Sequence, residues 1–140
     1  MSILLLYISL LAGFVSDEKP QLTIIIDNIE VFEGDIRVGI FNTSENFLKQ
    51  GFTFKKSKIA VKNTNETIII DDLPRGEYAF ILYHDKNADG KMNRNFIGIP
   101  KEPFAFSNNV KPKLAKPTFK ECKFSLEENL VLHVSLGYFN

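Results

Sequence analysis

Apolar and polar residues alternate with a period of two along much of the chain, which is typical of β-strands. Residues 22–26 read LTIII and predict a strand that is apolar on nearly both faces. Residues 36–40 alternate Ile and Val with Arg and Gly, which predicts a second, half-exposed strand. Because a turn sequence, Glu-Gly-Asp, stands at 33–35, we expect these two strands to form a hairpin.

The next part of the chain lacks a clean period. Residues 42–58 therefore predict a loop, with one helical turn near 46–49. Its three phenylalanines are expected to tuck under the sheet: Phe47, Phe52 and Phe54. Residues 59–61 are a candidate for a short strand.

The second half of the chain returns to the period of two. A β-branched run at 67–71 and an alternating run at 77–84 predict two strands joined by a turn. Residues 122–126 and 130–136 predict the last two, and the final one should have a single core face. About seven short strands, with turns at this spacing and no helix beyond the N-terminal leader, predict one all-β domain, a small sandwich.

The N-terminus carries an apolar run from Ile3 to Val15, and the first charge is Asp17. The run is shorter than the ~18 residues expected of a spanning helix, but it fits the core of a signal peptide. We expect residues 1–16 to be that peptide and 17–140 to be the exported domain, periplasmic or extracellular, with no membrane span left after cleavage. No Lys or Arg precedes the run, so an N-terminal strand or a retained anchor is the alternative.

Charge and motifs narrow the function classes. Lys+Arg and Asp+Glu are both 17, and a neutral chain lacks the basic surplus that binding to nucleic acid needs. No nucleophile elbow, zinc-ligand set or glycine-rich phosphate loop occurs, so we expect no catalysis. We expect a monomeric binding or accessory module for an envelope component, carbohydrate or protein. The alternative is a purely structural or protein-interaction domain; a hydrolase is the least favoured class.

One loop is chemically unusual. Asp85, Asn87 and Asp89 stand at i, i+2 and i+4, and Gly90 follows them. This spacing is the first half of a calcium loop, because alternate side chains of a turning backbone bring their oxygens together. An EF-hand is excluded, since its twelfth position needs a bidentate Glu and here it is Phe96.

Two interpretations of the loop stay open. In the first it is a calcium site outside the EF-hand class, whose ligands are Asp85, Asn87, Asp89, the Lys91 carbonyl, Asn93 and, more distantly, Glu102. Nearby lysines and Asn93, which adds no charge, place its dissociation constant on the order of 10⁻⁴ to 10⁻³ M. In the second the loop binds no metal, and its Asx side chains bond to their own backbone.

The segment around this loop mixes aromatic and small polar residues, as ligand surfaces do. The candidates for such a surface are His84, Phe96, Phe104, Phe106, Ser107, Asn108 and Asn109. The alternative is a packed loop with its Phe residues in the core and its Asn residues at turns. His84 is either a metal ligand or general base, or an imidazole that braces the loop, and bracing is favoured.

Four separated motifs point to a family. They are L-P-x-G-x-Y-A at 73–79, H-D-x-N-x-[ND]-G-K at 84–91, G-I-P-x-E at 98–102 and F-S-N-N at 106–109. With them the chain, from Leu22 to its C-terminus, resembles the bacterial secreted proteins of domain-of-unknown-function family 2141. It departs where that family usually has an acidic residue, here Asn93, and a Gly, here Ala105. The resemblance implies export, a transthyretin-like or immunoglobulin-like sandwich, and no established activity.

Overall fold

The computed structural model describes residues 18–92 and 101–138, and it contains two β-sheets packed face to face. The strands are β1 (Leu22–Asp27), β2 (Asp35–Phe41), β3 (Lys55–Ala60), β4 (Glu66–Ile70), β5 (Gly76–Asp85), β6 (Phe104–Phe106), β7 (Phe124–Leu126) and β8 (Leu130–Ser135). The predicted all-β sandwich is confirmed. The leader predicted at 1–16, and Asn93 and Phe96, lie outside the described residues.

The smaller sheet has three strands in the order β4-β1-β8. Its centre strand, β1, runs antiparallel to β4 and parallel to β8. Leu22, Ile24 and Ile26 are fully buried and face the other sheet, whereas Thr23 and Ile25 are half-buried on the outer face. The central position of β1 explains why its sequence is apolar on both sides.

The larger sheet has the order β3-β2-β5-β6, and β7 pairs with the first residues of β5. The hairpin predicted between β1 and β2 is therefore wrong, since these strands belong to different sheets. Residues 28–34 carry the chain from one sheet to the other, and Asn28 begins this crossing in a left-handed conformation (φ 63°). A turn sequence marks where a chain reverses but does not decide which sheet receives it.

The main core lies between the sheets. It takes alternate residues from each strand, such as Tyr78, Phe80 and Leu82 of β5, and Val134 of β8. Residues of the opposite parity leave this core, as the period of two requires. Among the described residues no helix is long and apolar enough to cross a membrane.

A second, smaller apolar cluster covers the outer face of β5 and β6. Ala79, Phe104 and Phe106 meet there with Phe119 and Cys122 of a one-turn helix, α1 (Phe119–Cys122). The sequence did not predict this helix. A capping box holds it: the Thr118 hydroxyl oxygen accepts from the Glu121 N–H, and the Glu121 carboxylate accepts from the Thr118 N–H. We call this group the outer cluster.

The loop before β3 differs from the prediction. Phe47 packs edge-on against Phe119 of the outer cluster, with ring centroids 5.9 Å apart, so its predicted burial holds in part. Phe52 is 57% exposed, so the prediction that it tucks under the sandwich is wrong. Phe54 is 48% exposed, but its ring lies 5.9 Å from that of Tyr78 in the main core, so its predicted burial holds in part. β3 also begins at Lys55, four residues before the predicted strand, because β2 supplies its backbone partners whatever its side chains are.

Candidate functional site

The candidate site lies where β5 ends. Asp85 is the last residue of β5, and it faces Asp35 of β2 across the sheet. Its side chain is fully buried although it is a carboxylate. A buried charge is costly unless it is paired and hydrogen-bonded, so its partners define the site.

The Asp85 carboxylate accepts three hydrogen-bond donors. The Gly90 N–H and the Arg37 Nε lie 2.7 Å and 2.9 Å from Oδ2, and the Asp89 N–H lies 3.3 Å from Oδ1. Burial acts to raise the pKa of Asp85, but the hydrogen bonds from Gly90, Arg37 and Asp89 outweigh it, so this pKa lies below its ordinary value. Asp85 is therefore a carboxylate at neutral pH.

The loop after Asp85 is braced by its own side chains. The Asn87 Oδ1 accepts from the Asp89 N–H at 3.4 Å, and the Asp89 Oδ1 accepts from the Lys91 N–H at 2.9 Å. Ala88 and Gly90 have positive φ, 54° and 78°, which lets the chain turn back on itself. These are the Asx bonds expected of the interpretation without metal, but they also aim the loop toward Asp85.

Three carboxylates converge at this loop. One oxygen from each of Asp85, Asp89 and Glu102 lies within 4.8 Å of the others. Asp85 and Glu102 are buried, whereas Asp89 is exposed. Calcium binds oxygens at about 2.3–2.6 Å, so oxygens on opposite sides of an ion stand about 4.6–5.2 Å apart, and the cluster has a suitable size.

The other predicted ligands are placed less directly. Asn87 is exposed, and its Nδ2 donates to Asp89 Oδ2 at 3.3 Å while its oxygen is turned to the backbone. Lys91 is exposed beside Asp89. Asn93 is outside the described residues. The structure therefore brings together the three carboxylates of the predicted set.

His84 lies on the opposite side of β5 from this cluster and is buried. The imidazole Nε2 is 2.7 Å from the Glu33 carbonyl oxygen, and the backbone N–H of His84 donates to the Pro103 carbonyl at 2.9 Å. The imidazole thus holds the turn before β2 against β5, the bracing role that the sequence favoured. It is not presented to a ligand in this structure.

Most of the predicted ligand surface is inside the fold. Phe104 and Phe106 are 6% and 5% exposed, and both belong to the outer cluster. Ser107 is fully buried, and its hydroxyl donates to the Cys122 carbonyl at 2.6 Å and accepts from the Phe80 N–H at 3.0 Å. These side chains, like His84, do not form the surface that the sequence suggested.

The two asparagines of F-S-N-N are exposed but engaged with the backbone. The Asn108 Nδ2 donates to the carbonyls of Glu121 and Lys123, and the Asn109 Oδ1 accepts from the Ser135 N–H. Both asparagines are left-handed, with φ of 59° and 53°. The motif ties α1 and β8 to the end of β6, which is a structural role.

Sequence reasoning missed Arg37. It lies on the polar face of β2, next to Tyr83 of β5, and bonds Asp85 while its Nη2 lies 3.6 Å from Asp35. The sequence placed it only on the polar face of a half-exposed predicted strand, with no role in the site. Only the register of β2 against β5 shows that it reaches Asp85.

A family model described as "Uncharacterized protein conserved in bacteria (DUF2141)" matches residues 24–132. Searches of curated proteins and of solved structures give no match. The matched range includes every strand of the larger sheet, Arg37 and the three carboxylates, and it covers the smaller sheet except for the start of β1 and the end of β8.

Proposed function

The chain belongs to the DUF2141 family of uncharacterized bacterial proteins, and we propose that it is an exported, non-catalytic binding or accessory module that holds a calcium ion in the loop after β5. Asp85, Asp89 and Glu102 are the proposed protein ligands, with further oxygens from the loop backbone and water. Export is proposed from the apolar run at 3–15 and the charge-free sequence before Asp17.

The observation that carries the calcium proposal is the meeting of the three carboxylates within 4.8 Å. Like charges so close repel, and a divalent cation removes that repulsion. Arg37 is the cation paired with Asp85, but it is also paired with Asp35. It therefore offsets only part of the negative charge of the three carboxylates. Two buried oxygens give the ion a fixed base, while exposed Asp89 leaves an entry path.

Arg37 also sets the strength of the site. Calcium would share the Asp85 carboxylate with a guanidinium already bonded to it at 2.9 Å. A dissociation constant on the order of 10⁻⁴ to 10⁻³ M follows, as in weak extracellular calcium modules. A site of this strength fills outside the cytoplasm, which agrees with export.

Catalysis is not proposed, because the groups a hydrolase would use are engaged in the fold. The Ser107 hydroxyl is bonded to two backbone groups, and the His84 imidazole to a third. Both side chains are buried. A nucleophile and its base must instead meet in an accessible cleft.

Thermal melting in EDTA and then in calcium tests the proposal, on the chain from Asp17 onward, since every described strand lies after that residue. At about 10 mM Ca²⁺, binding stabilises the native state by about 1.4–2.7 kcal/mol, which raises Tm by about 5–10 °C. Asp89→Asn should abolish the rise, because it keeps the oxygen that accepts from the Lys91 N–H but removes the charge.

Asp71→Asn is the matched control, since Asp71 is an exposed carboxylate that is not in the cluster. Its calcium shift should equal that of the wild type. A wild-type Tm that stays the same in EDTA and in calcium, or a shift that Asp89→Asn leaves intact, would overturn the calcium site.

The second candidate is a structural domain of the envelope whose loop binds no metal. The bonds of Asp85 to Arg37 and to the Gly90 N–H favour it, because they already satisfy that carboxylate. It predicts no calcium shift, together with a lower Tm for Arg37→Met, which leaves Asp85 buried without its cation. The two candidates thus differ in the calcium melt itself.

A further inference from the structure

Two segments of the chain carry lysines and no acidic residue. Residues 46–62 contain five lysines, and residues 103–120 contain four. Nine of the 17 basic residues of a neutral chain are thus gathered in these two segments, which we call the basic segments. The lysines are Lys49, Lys55, Lys56, Lys58, Lys62, Lys111, Lys113, Lys116 and Lys120.

The basic segments meet on the outer side of the larger sheet. Phe47 of the first and Phe119 of the second pack edge-on, with ring centroids 5.9 Å apart, beside the outer cluster. The first segment contains β3, the edge strand of that sheet. Lys56 and Lys58 of β3 are exposed, whereas Lys55 is held in an ion pair with Asp72 at 2.6 Å.

Each basic segment also exposes apolar side chains. Phe52 is 57% exposed and Leu114 is fully exposed, whereas Phe54 is 48% exposed and packs its other face against Tyr78 of the main core, with ring centroids 5.9 Å apart. They are three of the seven large hydrophobic residues that are exposed in the described part of the chain. Lys49 and Lys55 flank the two phenylalanines in sequence, and Lys113 precedes Leu114.

We propose that the basic segments form a docking surface for an anionic phospholipid bilayer. Lysines near such a surface are attracted by its negative potential, and apolar side chains between them enter the boundary between head groups and acyl chains. Phe and Leu offer no hydrogen-bonding group, so they gain from an apolar phase rather than from a polar ligand. The inference rests on the proposed role as a binding module and names its partner.

Co-sedimentation with vesicles tests this, with the chain from Asp17 onward so that the apolar leader takes no part. Vesicles of phosphatidylcholine with about a third of phosphatidylglycerol should bind the protein, and pure phosphatidylcholine should not. Binding should fall when salt shortens the Debye length from about 14 Å to about 4 Å. All measurements are made in EDTA, so they do not depend on the calcium site.

The double variant Lys56→Gln/Lys58→Gln should weaken binding about 25-fold, since each lysine at an anionic surface contributes about fivefold. The matched control is Arg75→Gln/Lys101→Gln. It removes the same charge from two exposed residues outside the basic segments, since Arg75 lies in the turn before β5, where it donates to the Glu127 carbonyl, and Lys101 precedes Glu102. Its affinity for the vesicles should stay within about twofold of the wild type.

A second variant, Phe52→Ser/Leu114→Ser, should weaken binding at least about tenfold with an unchanged Tm, because both side chains are exposed in the free protein. Equal binding to both kinds of vesicle, or an equal loss in the control, overturns the proposal. So does binding to an acidic polysaccharide such as alginate without binding to vesicles. None of these results alters the calcium shift in Tm, so the two proposals fail separately.

Discussion

Ser107→Ala tests whether the F-S-N-N motif is structural. The Ser107 hydroxyl lies between the part of β5 that pairs with β6, at 81–83, and the part that pairs with β7, at 76–78. There it accepts from the Phe80 N–H at 3.0 Å and donates to the Cys122 carbonyl at 2.6 Å. The Ser107 hydroxyl thus accepts the Phe80 N–H, which neither β6 nor β7 reaches.

The cost of the change follows from these two contacts. Alanine leaves a backbone N–H and a backbone carbonyl without the hydroxyl, and a buried unsatisfied group costs about 1–3 kcal/mol. The space of one oxygen atom is too small to admit water easily, since a water needs room for about one probe sphere. We expect a loss of about 2–4 kcal/mol in the free energy of unfolding, which lowers Tm by about 10 °C in a domain of this size.

Urea denaturation and thermal melting measure the loss. Ser125→Ala is the control, because Ser125 is an exposed residue of β7. This control should change stability by less than about 0.5 kcal/mol. A Ser107→Ala protein as stable as the control would refute the assignment of the hydroxyl as a backbone partner and would reopen a ligand-binding role for the motif.

Three further predictions concern other parts of the fold. Gly34→Ala should lower Tm far more than Gly51→Ala, because both have positive φ but a Cβ at Gly34 would stand 2.1 Å from a backbone oxygen, while one at Gly51 meets nothing within 4 Å; equal melting losses would contradict this. The Lys55 hydrogen bond lowers the pKa of Asp72, so NMR titration should place this pKa below that of an unperturbed aspartate, and Lys55→Met should raise it. Because the pKa of Asp72 is lower in the folded state than in the unfolded state, its ionisation stabilises the fold at any pH above the unfolded-state pKa. This small contribution should be lost as the pH falls through the folded-state pKa. Burial, with a smaller effect of the neighbouring carboxylate, raises the pKa of Cys122 to about 11, so a thiol reagent at about pH 8 should label it only after unfolding, and rapid labelling of the native protein would argue otherwise.

Periodicity predicted those strands whose side chains face a core. The alternation at 22–26, 77–84 and 130–136 gave β1, β5 and β8 nearly as they are, because burial of one face depends on side-chain identity. β3 was largely missed, since KKSKIA has little apolar alternation. Its pairing comes from backbone hydrogen bonds to β2, which the side-chain pattern does not encode.

The candidate site was predicted in part for a related reason. The local spacing of Asp85, Asn87 and Asp89 pointed to the loop, because alternate residues on a turn share a side. Glu102 was named as a distal ligand, and the structure places its carboxylate beside them. Arg37 was not found, since the cross-strand register that brings it to Asp85 depends on the topology of the whole sheet.

The position of β1 also determines when the domain can form. Each residue of this first strand pairs with a residue of β8 that lies 108 positions later. One edge of β1, the central strand of its sheet, therefore stays unpaired until β8 has been synthesised. Contacts so distant in sequence form late, and a nascent chain that lacks β8 stays without its native fold. Such a chain stays extended enough to pass through a narrow channel during translation. If translation stopped before residue 130, the apolar strand β1 would keep an unpaired edge that can aggregate.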